Sequence, residues 1–126
     1  MIRYFIFILG FALLFGCNRE ESDLRAFDEE KLALMYDRIV REAESPCVDA
    51  GDWRFVGVGV KACGGPVTYI AYPKTIDVEA FLALVQTYNE AQSAFNVKYN
   101  LVSDCMYVMP PKEVVCEDGK PKLVYS

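Results

Sequence analysis

The sequence predicts an α+β fold: a small antiparallel sheet packed by one long helix, an N-terminal helix, and two disulfides. Three observations carry this reading. An apolar stripe with a capping residue runs through 78–98. Two β-like runs flank Glu117-Asp118-Gly119-Lys120. Four cysteines follow Cys17.

The first segment is not part of the fold. Residues 1–16 hold one charge, Arg3, and an apolar run from Tyr4 to Phe15 that closes on Gly16-Cys17. A membrane-spanning helix needs about 20 apolar residues. The shorter run fits a signal peptide, and Leu14-Phe15-Gly16-Cys17 resembles the lipobox of bacterial lipoproteins. Residues 1–16 are therefore expected to be cleaved, and Cys17 to carry the lipid. Residues 17–26 read as lipidated cysteine and polar tether, and 27–126 as a single α+β domain.

A helix is expected from Phe27. Asp28 can cap it, and Leu32, Met35, Tyr36, Ile39, Val40 and Ala43 follow i, i+3, i+4 spacing. Ser45-Pro46 ends it. Asp52 to Val60 reads as a strand, with Trp53, Phe55, Gly57 and Gly59 on one face. The two glycines there leave a strip that the long helix can approach closely. Cys63-Gly64-Gly65-Pro66 breaks the strand, and Thr68 to Tyr72 forms the next. The long helix spans about Val78 to Lys98. Asp77 is its N-cap, and Ile76 with Phe81 forms a hydrophobic staple. Its buried face is read as Val78, Phe81, Leu82, Val85, Tyr88, Gln92, Phe95 and Tyr99, and Asn100 suits the C-terminal cap. Three strands are expected after it: Asp104 to Met109, Glu113 to Cys116, and Pro121 to Tyr125. Asp118-Gly119 signals a type I′ turn between the last two, with Glu117 opposite Lys120.

Composition excludes several activities. Histidine is absent, so Ser-His-Asp and Cys-His catalysis cannot be built from this chain. Beyond Cys17 there are 12 basic and 18 acidic residues. An acidic chain repels phosphate backbones, so no nucleic-acid partner is expected. No cofactor and no metal site is expected. The cysteines lack the close pairs of zinc sites, and Asp49-Ala50-Gly51-Asp52 lacks the ligand order of a calcium loop. Gly57-Val58-Gly59-Val60-Lys61-Ala62 matches a dinucleotide-binding pattern formally, but it lies inside a strand and opens no helix. Asp77 and Glu79 are explained by the helix dipole. The tyrosines, among them Tyr69, Tyr72, Tyr88 and Tyr107, read as core residues with hydroxyls at its rim.

Cys47, Cys63, Cys105 and Cys116 in an exported chain of this size read as two disulfides. Short loop closure favours Cys47–Cys63 with Cys105–Cys116. The rival is Cys47–Cys116 with Cys63–Cys105, which ties the two β segments across the long helix.

Trp53-Arg54, Ala62-Cys63-Gly64-Gly65-Pro66, Tyr69-Ile70-Ala71-Tyr72, Ser103-Asp104-Cys105 and Cys116-Glu117-Asp118-Gly119-Lys120-Pro121 together resemble a group of short exported bacterial proteins. Many of these are lipid-anchored, and they carry Cys-Gly-Gly-Pro before a long helix. The resemblance covers about two-thirds of the chain beyond Cys17. It implies compartment and architecture but no activity. Some members have a cysteine where Pro121 stands, which leaves the group's disulfide pattern open here. The expectation is a non-enzymatic, lipid-anchored protein of the bacterial envelope, at the outer membrane, binding the membrane through its lipid and another envelope protein through its domain. Gly64, Gly65 and Pro66 are the candidate binding loop. The alternative is an inhibitor of a secreted hydrolase of protease or lysozyme type, which needs that loop to project.

Overall fold

The computed structural model describes residues 17–126. The expected signal peptide lies outside the described residues. In chain order the elements are α1 (Cys17–Ala43), a 3-10 turn (Ala50–Asp52), β1 (Trp53–Val58), β2 (Thr68–Pro73), α2 (Val78–Lys98), β3 (Glu113–Glu117) and β4 (Lys120–Val124). No described helix is long and apolar enough to cross a membrane.

Helix α1 begins ten residues before the expected start at Phe27, so residues 17–26 are helical and Asp28 is not its cap. No glycine or proline interrupts 17–43. The polar first turns support themselves: Ser22 Oγ donates to the Arg19 carbonyl (2.9 Å), and Arg25 Nε meets Glu29 Oε1 at 2.9 Å. Asp28 lies inside the helix and accepts from Lys98 Nζ and from the Tyr99 hydroxyl, each at 2.6 Å. It fastens α1 to the end of α2 rather than capping anything.

Helix α2 matches its expected bounds. Asp77 Oδ1 accepts from the Ala80 N–H (3.1 Å). The C-terminus closes as a Schellman motif. Asn100 takes φ 48°, its N–H reaches the Val97 carbonyl, and the Leu101 N–H reaches Asn96. Phe81, Val85 and Tyr88 are buried, as their spacing requires. Leu82 is not: it is 37% exposed, while Leu84 packs against the core. At 100° per residue, Leu82 sits about 90° from the mean direction of the buried trio and Leu84 about 65°.

The single sheet is instead two hairpins. Strands β1 and β2 pair antiparallel, with Val56 opposite Ile70 and Phe55 opposite Ala71. Strands β3 and β4 form a separate pair, with Glu117 opposite Lys120. Asp118 and Gly119 both have positive φ, 51° and 74°, as a type I′ turn demands. Glu117 forms its ion pair with Lys122 (2.8 Å), the diagonal neighbour, rather than with Lys120.

These pieces stack in three layers. Alternation sends Val56, Val58, Ile70 and Tyr72 to one face of β1–β2, where they meet Ile39, Ala43, Phe81, Val85 and Tyr88 of the two helices. Trp53, Phe55 and Ala71 point the other way, against Val114, Cys116 and Leu123 of the second hairpin. The helix is thus received by the valine face, not by the face carrying Gly57.

Both cysteine pairs follow the rival pattern: Cys47–Cys116 and Cys63–Cys105, with Cα atoms 5.3 and 5.4 Å apart. The favoured Cys47–Cys63 bridge fails for a simple reason. Strand β1 stands between the two residues, and at about 3.3 Å per residue it carries Cys63 roughly 20 Å away. Cys47 stays beside the second hairpin, its N–H donating to the Gly119 carbonyl (2.9 Å).

Candidate functional site

The site is built where β1 ends. Gly59 turns out of the strand with φ 82°, and α2 takes hold of the exposed backbone. The Gly59 N–H donates to Asn89 Oδ1 (2.7 Å), the Val60 N–H to Gln92 Oε1 (2.6 Å), and Asn96 Nδ2 donates to the Val60 carbonyl (2.8 Å). Asn89, Gln92 and Asn96 lie at i, i+3 and i+7, one row along the helix. They do for the strand end what a neighbouring strand does elsewhere. The sequence reading assigned Gln92 to the apolar face and missed the row. Its trace in the sequence is an amide ladder beside a glycine-bearing strand.

Past this anchor the chain makes a tight loop. The Gly64 N–H reaches the Lys61 carbonyl (2.8 Å) and the Lys61 N–H reaches the Gly65 carbonyl (3.0 Å). Gly64 and Gly65 take φ 94° and 78°. No heavy atom lies within 4 Å of where a Cβ would stand on either, so the tip projects. Pro66 instead folds back over Gly57, whose missing Cβ would lie 3.1 Å from it.

A second segment lies beside the first. Residues 101–111 form no regular element, so the strand expected over Asp104 to Met109 is absent. The disulfide Cys63–Cys105 joins the two segments, and the Cys63 N–H donates to Ser103 Oγ (3.2 Å). Lys61 Nζ meets Asp104 Oδ1 at 2.7 Å and the Met106 carbonyl at 2.9 Å. Asp104 also accepts from the Met106 N–H (3.1 Å). The Lys61 ammonium, then that N–H, hold the Asp104 carboxyl below its ordinary value. At the far end the Tyr69 hydroxyl donates to the Val108 carbonyl (3.4 Å). Burial, reinforced by Tyr107 and Tyr125, raises the Tyr69 phenol.

The pinned segment presents apolar side chains to solvent. Val102 is 94% exposed, Met106 75%, Tyr107 68% and Met109 64%. Large apolar side chains exposed in one short segment make it a candidate surface for a partner. The candidate residues Gly64, Gly65 and Pro66 stand next to it through Cys63. Cys47 and Cys116 belong to the buried cluster under Trp53 and lie apart from this surface. Asp49 accepts from the Gly51 N–H (2.9 Å) and forms an ordinary turn. Among the described residues no group of three or more acidic, cysteine or histidine side chains is placed to hold a metal ion. The side chain of Cys17 lies outside the described residues.

Comparison with protein-family models, with curated proteins and with solved structures finds no match.

Proposed function

We propose that this chain is a lipid-anchored protein of the bacterial envelope, at the outer membrane, that acts as a non-catalytic binding domain through the double loop of residues 61–67 and 101–109. One observation carries the reading: the most exposed apolar side chains of that surface sit on a segment without secondary structure that is nevertheless fixed by a disulfide, an ion pair and backbone bonds. Ordering a loop in advance lowers the entropy lost on binding. Met and Tyr suit such a surface, the first through adaptable shape and the second through its rigid ring. The apolar run ending at Cys17 and the resemblance to exported Cys-Gly-Gly-Pro proteins support the anchor and the compartment.

Two experiments test the halves of this reading. Mass spectrometry of the membrane-extracted protein should find a lipid-modified Cys17 at the N-terminus, and an unmodified Cys17 in the mature chain rejects the anchor. Crosslinking in native envelopes, with wild type beside Met106→Glu and Tyr107→Glu, should capture a partner that both variants lose. A partner retained by both rejects the surface.

The projection of Gly64-Gly65 favours a second reading, an inhibitor of a secreted hydrolase. A tip without side chains can enter a narrow cleft. Titration of protease and lysozyme panels with the purified protein decides it: stoichiometric inhibition that Gly64→Trp abolishes supports the inhibitor.

A further inference from the structure

Among the described residues, strand β2 has a sheet neighbour on one side only, β1. The Lys74 N–H donates to the Asp52 carbonyl (2.7 Å) and so sets the alternation of the ladder. Thr68, Ile70 and Tyr72 turn their backbone groups toward β1. Tyr69 and Ala71 turn N–H and C=O outward, where no described backbone group meets them.

This edge is recessed. A cleft of about 800 Å³ is roofed by Tyr36 and Val40 of α1, floored by Pro121 and Leu123 of β4, and backed by Ile70 and Ala71. Ile70 and Ala71 are successive strand residues whose side chains point to opposite faces, one toward the helices and one toward the hairpin. A single cleft touches both only by running along the strand edge. We infer that the β2 edge is a second binding site, which takes an extended apolar peptide segment of a partner protein as a third strand.

The occupant follows from the chemistry. Ala71 presents its outward N–H and C=O in the cleft, and Tyr69 repeats the pair two residues away along the same edge, which matches an extended backbone. A strand sends alternate side chains to both faces, and both walls here are apolar, so the ligand needs successive apolar residues rather than alternating ones. Glu44 and Lys120 also line the cleft, one charge of each sign, which suits a neutral segment. A second copy does not fit. For two β2 edges to meet at about 4.8 Å, each must enter the other's cleft past its α1 and β4 walls. The volume falls within the roughly 300–1,000 Å³ of ligand pockets.

The test uses the full-length chain in detergent micelles with nitrogen-15 labelling. The probe is a blocked peptide with a central Val-Ile-Val run between serines. Saturating peptide should slow amide exchange at Tyr69 and Ala71 by roughly tenfold or more. The same peptide methylated on the backbone nitrogens facing β2 should bind about tenfold more weakly or worse, having lost one or two hydrogen bonds. Ala71→Pro deletes an N–H that only the ligand uses, at a position where edge strands accept proline, and should abolish binding. Val40→Glu, on a half-exposed wall residue, should weaken binding with the thermal midpoint unchanged, and it keeps the test alive if Ala71→Pro does not fold. Equal affinity of the methylated peptide, or unchanged exchange at both amides, overturns the proposal. So does a concentration-dependent dimer that Ala71→Pro dissolves, because the occupant is then a second copy.

Discussion

Replacing Gly59 by alanine should destabilise the protein by about 2–4 kcal/mol, a large part of what holds a domain of this size together. At φ 82° an L-residue is strained, and left-handed backbone costs about 1–2 kcal/mol. The new Cβ would also stand 2.7 Å from Gln92 Oε1 and 2.9 Å from the Val67 side chain. To make room, the Gln92 amide must withdraw, and the Val60 N–H loses its 2.6 Å bond. A donor left unpaired in a partly buried site costs about 1–3 kcal/mol. Alanine stiffens the unfolded chain and returns about 0.4–1 kcal/mol. Gly64→Ala is the control. Its φ is 94°, but no atom lies within 4 Å of the added methyl, so strain acts alone at about 1–2 kcal/mol. Urea denaturation with the disulfides intact, comparing midpoints at constant slope, measures both. Gln92→Ala should remove part of the difference, since the obstructing oxygen is then gone, and the double-mutant cycle reads that coupling directly. If Gly59→Ala and Gly64→Ala agree within about 0.5 kcal/mol, the amide row on α2 does not hold the end of β1.

Further outcomes follow from the same structure. Phe81→Ala, at a residue 3% exposed, should cost about 3–5 kcal/mol, while Leu82→Ala, at 37% exposure, should cost about 1 kcal/mol or less; denaturant midpoints in the reverse order would mean that α2 is rotated. Paired Cys63→Ser and Cys105→Ser substitutions should cost about 2–4 kcal/mol for a separation of 42 residues and speed amide exchange over 101–109, with the core amides keeping their relative order. Acid should loosen the double loop. The Asp104 carboxyl is depressed by Lys61, so its contribution is complete above the ordinary value of 3.8 and disappears as the pH falls through the lower folded one, which amide exchange at Met106 reports. The contact between α1 and α2 should survive between 3.8 and 10.0, the ordinary values of Asp28 and of Tyr99, whose phenol is raised by burial and by Asp28. Lys98 and Tyr99 depress Asp28, which is lost on acidification, and Asp28 raises Lys98, whose share is lost as the pH climbs through its elevated folded value; helical circular dichroism against pH checks both limits.

Local signals in the sequence were reliable wherever one segment determined its own geometry. Asp77 and Asn100 marked both ends of α2, because caps are satisfied by residues within one turn. Asp118-Gly119 fixed the second hairpin for the same reason. The errors lie where partners are distant. Polarity over 17–26 set the expected helix start too late, since nothing there opposes helix, and Asp28 is occupied by a partner 70 residues away at Lys98. Leu82 and Leu84 are equally apolar, and only the directions of α1 and β1 decide between them. Asp104 to Met109 has the composition of a strand but pairs with none, since Cys105 and Lys61 hold it against the first loop and away from the strand edges. The shape of the candidate loop was legible in part. Gly64 and Gly65 mark a projecting turn, whereas the apolar surface beside it depends on a pairing of cysteines that loop length alone misassigned.

Residues 101–109 are ordered with little burial of their own side chains, which is what the binding proposal rests on. Fixing each residue's backbone costs about 1–2 kcal/mol. In a core segment, burial of the side chains offsets that cost. Here Val102, Met106, Tyr107 and Met109 remain mostly in water, so the offset is missing. The segment is kept in place by the bridge to Cys63, by Lys61, and by the Tyr69 hydroxyl. Two of those holds, Cys63 and Lys61, come from one loop, and that loop is itself anchored through Gly59 and Val60 to the amide row of α2, while Tyr69 acts from β2. Two-stranded sheets are marginal on their own, and the fold has two of them. The scaffold therefore uses long-range bonds where a larger protein would use more core, and it ends by presenting apolar area it does not bury. Under the binding proposal, burying that area against a partner, at about 25 cal/mol per Å², would recover what the free protein leaves unsatisfied.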